Sequence, residues 1–366
     1  MGTDNNLKAL LAVGQSPWYD NIDRRLIENG ELAKFFNLGI TGVTSNPSIF
    51  EKAVNGSSVY DSRIRKLAEK GKAPEEICHT ITIEDIQSAA DLLYDTYQAS
   101  GRRDGYVSLE VHPDYAYDAG RTIEHARTIH KDVARPNLMI KVPGTKEGYE
   151  AIKVLTRDGI NINVTLLFSL RHYEASAMAY IDGIKERVQD GNPVEGVCSV
   201  ASVFVSRVDT KVDKILEEVN ADSLKGRIAV ANAKMIYQRF KELFYGKAFG
   251  NLTSKGAHLQ RVLWGSTSAK DPAYSDVKYV DELIGKDTIN TLPHSTLEAF
   301  LDHGSPGLTI EEGLDEAKQD LNLLQRKTID LTKICDEIQQ DGVDAFSASF
   351  RKLVHAVSEK AATSRG

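Results

Sequence analysis

A single lysine interrupts an apolar run near the middle of the chain, Leu138-Met139-Ile140-Lys141-Val142-Pro143-Gly144. The length of the run and its closing Pro-Gly pair are typical of a strand that is buried on both faces. Desolvation disfavours the charged form of a buried amine, and a neutral amine is a nucleophile that adds to carbonyl groups. Lys141 is therefore either a Schiff-base nucleophile or an ion-paired or snorkelling lysine at a strand end, and this run alone favours neither.

Polar side chains also stand at the ends of the other predicted strands. They comprise two carboxylates, several hydroxyls, two amides and two cations: Asp20, Thr44, Ser45, Asn46, Glu110, Asn163, Thr165, Ser202, Arg207, Ser266, Thr267, Ser268 and Lys270. Each of them alone has an ordinary explanation, such as a helix cap, a turn or a solvated loop. If these strands are parallel, their ends lie at the same face of the sheet. Burying so many polar groups there would cost free energy unless they bind a ligand, which favours a functional site.

These residue types together support Schiff-base chemistry. Neutral Lys141 would add to a ketone and lose water, and the resulting iminium would act as an electron sink for cleavage or formation of the adjacent C–C bond. The proton transfers require a carboxylate that acts directly or through a water molecule, and Glu110 and Asp20 are the candidates. A phosphorylated substrate would also require a distal cation, which Arg207 or Lys270 would supply.

Eight short apolar or β-rich runs alternate with helical patterns along the chain. The predicted strands are Ser16–Ile22, Gly42–Asn46, Val107–Val111, Leu138–Val142, Ile162–Phe168, Val197–Phe204, Arg261–Ser266 and Thr288–Leu292. Such alternation predicts parallel strands with right-handed crossovers. Since the sequence contains neither GxGxxG nor GxxxxGK[ST], it favours a closed TIM-type (β/α)₈ barrel over an open nucleotide-binding sheet.

Amphipathic patterns predict the helices between and after these strands. They cover Thr82–Gln98, Tyr117–Asp132, Glu147–Asp158 and Arg171–Asp190, and further ones cover Ser57–Gly71, Thr210–Asn220 and Ser223–Phe244, followed by a polar linker over Gly250–Gly256. Two terminal helices are predicted over Thr309–Gln340 and Gly342–Lys360, and Phe346 on the second is expected to pack on the barrel. We therefore predict one barrel domain over residues 1–366, with helical insertions near 50–80 and 208–250 and a C-terminal helical extension over 308–366.

Composition narrows the class of protein. The 366 residues carry a formal net charge of −7, which provides no basic face for nucleic acid or anionic lipid. No apolar stretch reaches the length of a membrane span, and the N-terminus does not resemble a signal peptide. The three cysteines form no disulfide or zinc pattern, and the nine histidines show no metal-ligand spacing. We expect a cytoplasmic, metal-free protein. The helical insertions and terminal helices would either cover a side of the barrel or form an oligomer interface.

Two long motifs resemble the signatures of the transaldolase family. The first is Gly42-Val43-Thr44-Ser45-Asn46-Pro47-Ser48-Ile49-Phe50. The second consists of Ile140 to Thr145 followed by Gly159 to Ser169, and the similarity continues through Val203 to Asp209 and Trp264 to Ser268. In length and terminal helices the chain resembles the longer bacterial-type branch. The resemblance implies a (β/α)₈ barrel that transfers a dihydroxyacetone unit from sedoheptulose 7-phosphate to glyceraldehyde 3-phosphate, giving erythrose 4-phosphate and fructose 6-phosphate.

The same resemblance implies no metal or organic cofactor, and it implies roles for the strand-end residues. Lys141 would form the Schiff base, and Glu110 would act through a catalytic water held by Thr165. Asp20 would handle the proton of the hydroxyl at the cleaved bond. The residues expected to bind substrate, or in the case of the amides to orient the lysine, are Thr44, Asn46, Asn163, Ser202, Arg207, Ser266 and Lys270. Of these, Ser202 and Arg207 would hold the phosphate group.

The loop after the seventh strand departs from the family pattern. Shorter members place a second phosphate-binding arginine there in a Ser-Phe-Arg setting, whereas this chain reads Ser266-Thr267-Ser268-Ala269-Lys270. Lys270 would keep the charge and lose the bidentate fork. Two alternatives remain: a Schiff-base aldolase acting on fructose 6-phosphate or a related sugar phosphate, and a non-catalytic sugar-phosphate-binding barrel. Glu110 argues against the fructose 6-phosphate aldolase relatives, which use an aromatic residue for proton transfer.

Overall fold

The eight predicted strands form a closed parallel barrel. A computed structural model describes residues 5–362, in which the strands follow one another around the barrel in chain order and the first pairs with the last. They are β1 Gln15–Tyr19, β2 Gly42–Thr44, β3 Tyr106–Glu110, β4 Leu138–Pro143, β5 Ile162–Leu167, β6 Ser199–Phe204, β7 Gln260–Gly265 and β8 Thr288–Leu292. Each predicted strand overlaps an observed one, so the predicted (β/α)₈ fold class is confirmed.

Helices surround the barrel and fill the longer connections. Within residues 5–362 they are α1 Asn6–Ala12, α2 Arg24–Glu28, α3 Glu31–Leu38, α4 Pro47–Asn55, α5 Asp61–Glu69, α6 Pro74–Leu92, α7 Tyr94–Ala99, α8 Ala119–Val133, α9 Lys146–Asp158, α10 Leu170–Gln189, α11 Ser206–Glu218, α12 Ile228–Phe244, α13 Lys247–Thr253, α14 Lys278–Asp281, α15 His294–His303, α16 Leu314–Arg326 and α17 Leu331–Ala362. Short 3₁₀ turns occur at Pro113–Tyr115 and Asp222–Leu224. No helix in this part of the chain is long and apolar enough to cross a membrane.

Two predictions about the helical segments were wrong. Helix α13 occupies most of the predicted polar linker over Gly250–Gly256. The terminal helices divide near Thr328, which has a left-handed φ of 60°, and not at residue 341. The sequence predicts a helix boundary at Gly342, but this residue lies inside α17, where a Cβ atom would stand 2.9 Å from Leu166 Cδ2. The glycine therefore permits close packing of α17 on the barrel.

The amino-terminal end of the barrel is closed by a buried polar network. Arg261 donates to Asp104 at 2.9 Å and to Ser16 Oγ at 2.9 Å, and the indole of Trp18 donates to Asp104 at 3.1 Å. Burial acts to raise the pKa of Asp104, but the ion pair with Arg261 and the hydrogen bonds from Ser16 and Trp18 outweigh it and hold that pKa below its usual value. This network stabilises one end of the barrel and leaves the other end open for chemistry.

Candidate active site

The candidate catalytic residues lie at the carboxyl-terminal ends of the strands. Glu110 is the last residue of β3 and stands opposite Lys141 of β4 in the strand register. Lys141 in turn stands opposite Asn163 of β5. Three neighbouring strands therefore present a carboxylate, an amine and an amide in one layer, as expected for the catalytic face of this barrel type.

Lys141 is almost fully buried, with 4% of its surface exposed. Its Nζ donates a hydrogen bond of 2.8 Å to the backbone carbonyl of Ser45, just beyond β2. It lies 3.5 Å from Glu110 Oε2 and 6.0 Å from the centre of the Phe346 ring. The amine is thus held by one hydrogen bond and one ion pair, and the space beside it belongs to a cavity.

Glu110 is buried without a hydrogen-bond donor on either carboxylate oxygen. Desolvation raises its pKa; the nearby charge of Lys141 opposes that rise, and Asp20 adds to it. A carboxyl group in this environment takes up a proton more readily than one in water. Glu110 is therefore suited to accept and return protons beside the amine.

Asp20 follows β1 and is anchored by a chain of hydroxyls. Thr44 Oγ1 donates to Asp20 Oδ1 at 2.7 Å and also lies 2.8 Å from Thr291 Oγ1, so Thr291 is the donor in that second contact. Burial raises the pKa of Asp20, while the bond from Thr44 and the charge of Lys141 lower it. The second carboxyl group is therefore held in place and also biased towards holding a proton.

The polar residues of β5 and β6 are linked inside the barrel. Asn163 donates to Ser108 Oγ at 3.0 Å and accepts from Ser202 Oγ at 2.6 Å. Thr165, two residues further on, is fully buried, and its Oγ1 has no hydrogen-bond partner. Asn163 is thus a bonded bridge between strands, whereas Thr165 keeps a donor and an acceptor available at the level of Pro143, its partner in the register.

A cavity of about 170 Å³ opens beside Lys141 at the barrel mouth. Eight of the residues predicted for the site line it: Asp20, Thr44, Asn46, Lys141, Ser202, Arg207, Ser266 and Lys270. Asn46 also caps α4 by accepting a hydrogen bond from the Ile49 amide, which leaves its amide NH₂ group for a ligand. Glu110, Asn163 and Thr165 lie outside this lining.

The outer part of the cavity carries two cations. Desolvation lowers the pKa of the Arg207 guanidinium, and Asp20 opposes this effect. Partial desolvation likewise lowers the pKa of Lys270, as does the neighbouring charge of Arg207. Arg207 lies 5.5 Å from the centre of the Phe204 ring, and Lys270 donates to Ser268 Oγ at 2.6 Å. Burial disfavours the charged form of both side chains, and the charge of Arg207 also disfavours the charged form of Lys270. An anion bound between them would therefore stabilise both charged forms.

A second, larger cavity of about 400 Å³ lies behind Glu110. Its lining is mainly apolar and includes the rings of His112, His125 and Phe350. Burial lowers the pKa of His125 to about 4, so this histidine is neutral at physiological pH. Over residues 5–362, no group of three or more His, Cys, Asp or Glu side chains is arranged to hold a metal ion.

Comparison with known proteins identifies the family. The family model described as "Transaldolase/Fructose-6-phosphate aldolase" matches residues 17–357. The chain belongs to the transaldolase/fructose-6-phosphate aldolase family. It is 44% identical to a transaldolase of Thiobacillus denitrificans, with 96% of this chain and 99% of the relative covered. It is 41% identical to a transaldolase of Neisseria gonorrhoeae (95% and 98% covered) and 40% identical to transaldolase 2 of Nostoc punctiforme (97% of each).

Sequence reasoning missed three features of this transaldolase-family site. The backbone carbonyl of Ser45 holds the lysine amine, Thr291 of β8 orients Thr44, and Phe346 of α17 forms part of the cavity wall. The helical spacing of Phe346 correctly predicted a buried face. That spacing contains no information about which residues the face covers, because the contact joins residues far apart in the chain.

Proposed function

We propose that this protein is a transaldolase that moves a dihydroxyacetone unit from sedoheptulose 7-phosphate to glyceraldehyde 3-phosphate through a Schiff base on Lys141. The observation that carries the proposal is the buried amine, 3.5 Å from a carboxylate, beside a cavity whose outer part holds two cations. Transaldolases with about 40% identity over nearly the whole chain support the same reaction.

Schiff-base formation depends on Lys141 and Glu110. The amine attacks the ketone carbon at C2 of the donor sugar, and the carbinolamine must then lose its hydroxyl group as water. Glu110 accepts the proton lost by nitrogen and returns a proton to the departing hydroxyl, because burial favours its protonated form. Thr165, with its unpartnered hydroxyl, would hold the water that connects Glu110 to the reacting atoms.

Bond cleavage depends on Asp20. The iminium withdraws the electrons of the C3–C4 bond, and the hydroxyl on C4 must lose its proton to become the aldehyde of erythrose 4-phosphate. Asp20 takes that proton and later returns it to the alkoxide that forms when the enamine attacks glyceraldehyde 3-phosphate. Thr44 keeps the carboxylate in place during both steps.

Arg207 and Lys270 provide the distal anchor for the phosphate group. Both side chains line the cavity beside Lys141. Desolvation there disfavours the charged form of each of them when no anion is bound. Ser202 and Ser266 add hydroxyls to the same lining. A phosphate held by these two cations would place the sugar chain over Lys141. The binding energy of the phosphate would then orient the reacting carbons.

Borohydride reduction in the presence of fructose 6-phosphate tests the proposal. Reduction of the iminium should attach a dihydroxyacetone-derived adduct to the peptide containing Lys141, and mass analysis of a digest would locate it. The Lys141→Arg variant is the matched control and should give no adduct. An adduct on a different lysine, or none in the wild-type protein, would overturn the assignment.

Dependence on the acceptor separates a transferase from an aldolase. We expect rapid formation of fructose 6-phosphate from sedoheptulose 7-phosphate when glyceraldehyde 3-phosphate is present, and slow release of free dihydroxyacetone when it is absent. Comparable rates in the two assays would instead establish a Schiff-base aldolase.

A further inference from the structure

The geometry points to Phe346 as the residue that makes the site a transferase, because its ring keeps water from the enamine until an acceptor arrives. This inference rests on the proposed function and adds a specificity-determining residue to it. Phe346 is 4% exposed, lines the same cavity as Lys141, Asp20 and Ser202, and has its ring centre 6.0 Å from the lysine Nζ.

Helix α17 holds the ring as a fixed cover over the barrel mouth. Gln339 Nε2 donates to the carbonyls of Gly144 and Leu166, both at 2.8 Å. Leu166 has a left-handed φ of 60° and lies beside the irregularity in register between β5 and β6. The side chain of Gln339 therefore ties α17 to two backbone carbonyls at the rim of the barrel.

Further contacts on the same face of α17 place Phe346. Gly342 allows the helix backbone to approach Leu166 and Arg207, and Ser349 Oγ lies 2.7 Å from Ser48 Oγ on α4. Residues 339, 342, 346 and 349 follow the three- and four-residue spacing of one helical stripe. Phe346 is thus fastened on both sides and cannot move away without breaking these contacts.

The ring supplies an apolar surface where much of the cavity is polar. Asp20, Thr44 and Ser202 offer oxygens to a ligand around Lys141. A water molecule is retained in a cavity when it makes hydrogen bonds to two to four polar groups. The face of an aromatic ring does not provide such a group. Phe346 therefore disfavours water on the side of the lysine that it covers.

Two reactions compete for the enamine. In transfer, its nucleophilic carbon bonds to the aldehyde carbon of the acceptor, the alkoxide takes a proton from Asp20, and one water hydrolyses the iminium. In release, the same carbon takes a proton from water, and the hydroxide left behind takes the proton that Asp20 gained on bond cleavage. Hydrolysis of the iminium by one water then frees dihydroxyacetone and Lys141. Both routes restore the enzyme and balance the water lost when the Schiff base formed. Excluding water from the carbon suppresses the second route selectively.

The test is the ratio of dihydroxyacetone release to transfer in Phe346→Ala. We expect this ratio to rise roughly tenfold over the wild-type protein, equivalent to about 1.4 kcal/mol between the two barriers. Phe346→Leu keeps a shorter apolar side chain and should raise the ratio by a smaller factor, about threefold. Phe350→Ala is the matched control: Phe350 lies one turn later on α17, packs on His112 and lines the other cavity, so its loss should leave the ratio unchanged.

The outcomes separate this inference from the proposed function. If the wild-type protein transfers no dihydroxyacetone unit, the proposed function fails. If it does, and Phe346→Ala keeps the wild-type ratio, the role of Phe346 is refuted while the transferase assignment stands. An equal rise in Phe346→Ala and Phe350→Ala would also refute it, because the effect would then reflect general loosening of α17. Should Phe346→Ala not fold, the Phe346→Leu ratio decides the matter by the same criterion.

Discussion

Replacing Lys141 with methionine should leave Glu110 as a buried carboxyl group without a counter-charge. The two charged atoms are 3.5 Å apart, so at an effective dielectric constant of about 20 their attraction is worth about 5 kcal/mol. Burial raises the pKa of Glu110, and Lys141 opposes that rise. Removing the ammonium group takes away the opposing effect, so the pKa rises further and the folded variant keeps its proton to higher pH.

The sign of the stability change follows from this direction. A carboxyl group whose pKa is higher in the folded than in the unfolded state contributes stability that is fully present below the unfolded-state pKa. That stability is lost as the pH rises through the folded-state pKa. Unfolded glutamates titrate near pH ~4.3, and each pH unit within the window changes the free energy of unfolding by about 1.4 kcal/mol. Lys141→Met should therefore lose stability as the pH rises above the unfolded-state pKa, by up to about 1.4 kcal/mol for each pH unit until the folded-state pKa is passed.

Urea unfolding at several pH values would measure this loss. The matched control is the double variant Lys141→Met, Glu110→Gln, which keeps the shape of the side chain and removes the titrating group. The free energy of unfolding of the single variant should fall relative to that of the double variant as the pH rises. Parallel pH profiles for the two variants would refute the reasoning, since they would mean that Glu110 does not hold a proton in the folded protein.

Three further changes should separate stability from catalysis. A Cβ atom at Gly148 would lie 1.9 Å from the carbonyl oxygen of Pro143, so Gly148→Ala should destabilise the fold by at least about 2 kcal/mol. It should also lower kcat, because it displaces the strand that carries Lys141, the proposed Schiff-base residue. Arg261→Met leaves Asp104 as an unpaired buried charge at the far end of the barrel, which should cost about 3–5 kcal/mol in unfolding experiments while kcat/KM per folded molecule stays unchanged. Lys270→Ala should raise KM for the phosphorylated donor roughly tenfold, because we propose that this lysine binds the phosphate; Arg207 would still anchor the phosphate and orient the sugar, so kcat should change little.

Each of these changes has a control in the same chain. Gly250→Ala sits on an exposed face of α13 with no atom within 4 Å of the added methyl group, and it should be neutral or stabilising by about 0.5–1 kcal/mol. Replacing both Arg261 and Asp104 by apolar residues should recover much of the stability lost in the single variant, because no unpaired charge remains. An unphosphorylated ketose should react equally with wild-type protein and Lys270→Ala; a loss of activity with this substrate would contradict the phosphate role.

The barrel was predictable because its strands carry their own signal. Runs such as Ile162–Leu167 are apolar or β-branched along most of their length, as expected for strands covered by helices, and all of their residues are buried in the structure. Since parallel strands end at one face, the sequence also placed Glu110 and Lys141 at the same mouth. Their position in one register layer is a consequence of strand stagger, which no local pattern encodes.

The cover of the site was not predictable for a related reason. Glycine is common at helix ends, so Gly342 predicts a boundary. In the structure it lies in the middle of α17 and allows that helix to pack closely on the barrel. Helical periodicity places Phe346 on a buried face without naming the partner, and the partner is a residue two hundred positions earlier. Asn163 differs from Phe346 because the sequence does assign it a role, which is to bind substrate or to orient the lysine. In the structure its side chain forms hydrogen bonds with Ser108 and Ser202, two contacts that the sequence does not predict.

The position of the covering helix in the chain has a consequence for biosynthesis. All eight strands, with Lys141 and both carboxylates, precede Phe346 in the order of translation, and N-terminal parts of a chain emerge and begin to fold first. A nascent chain that has completed the barrel therefore has Lys141 in place before the helix that covers it is made. Helix α17, which follows all eight strands in the chain, is the segment that we infer to favour transfer over release of dihydroxyacetone. We expect a chain terminated before residue 339 to release free dihydroxyacetone without an acceptor and still to form a Schiff base.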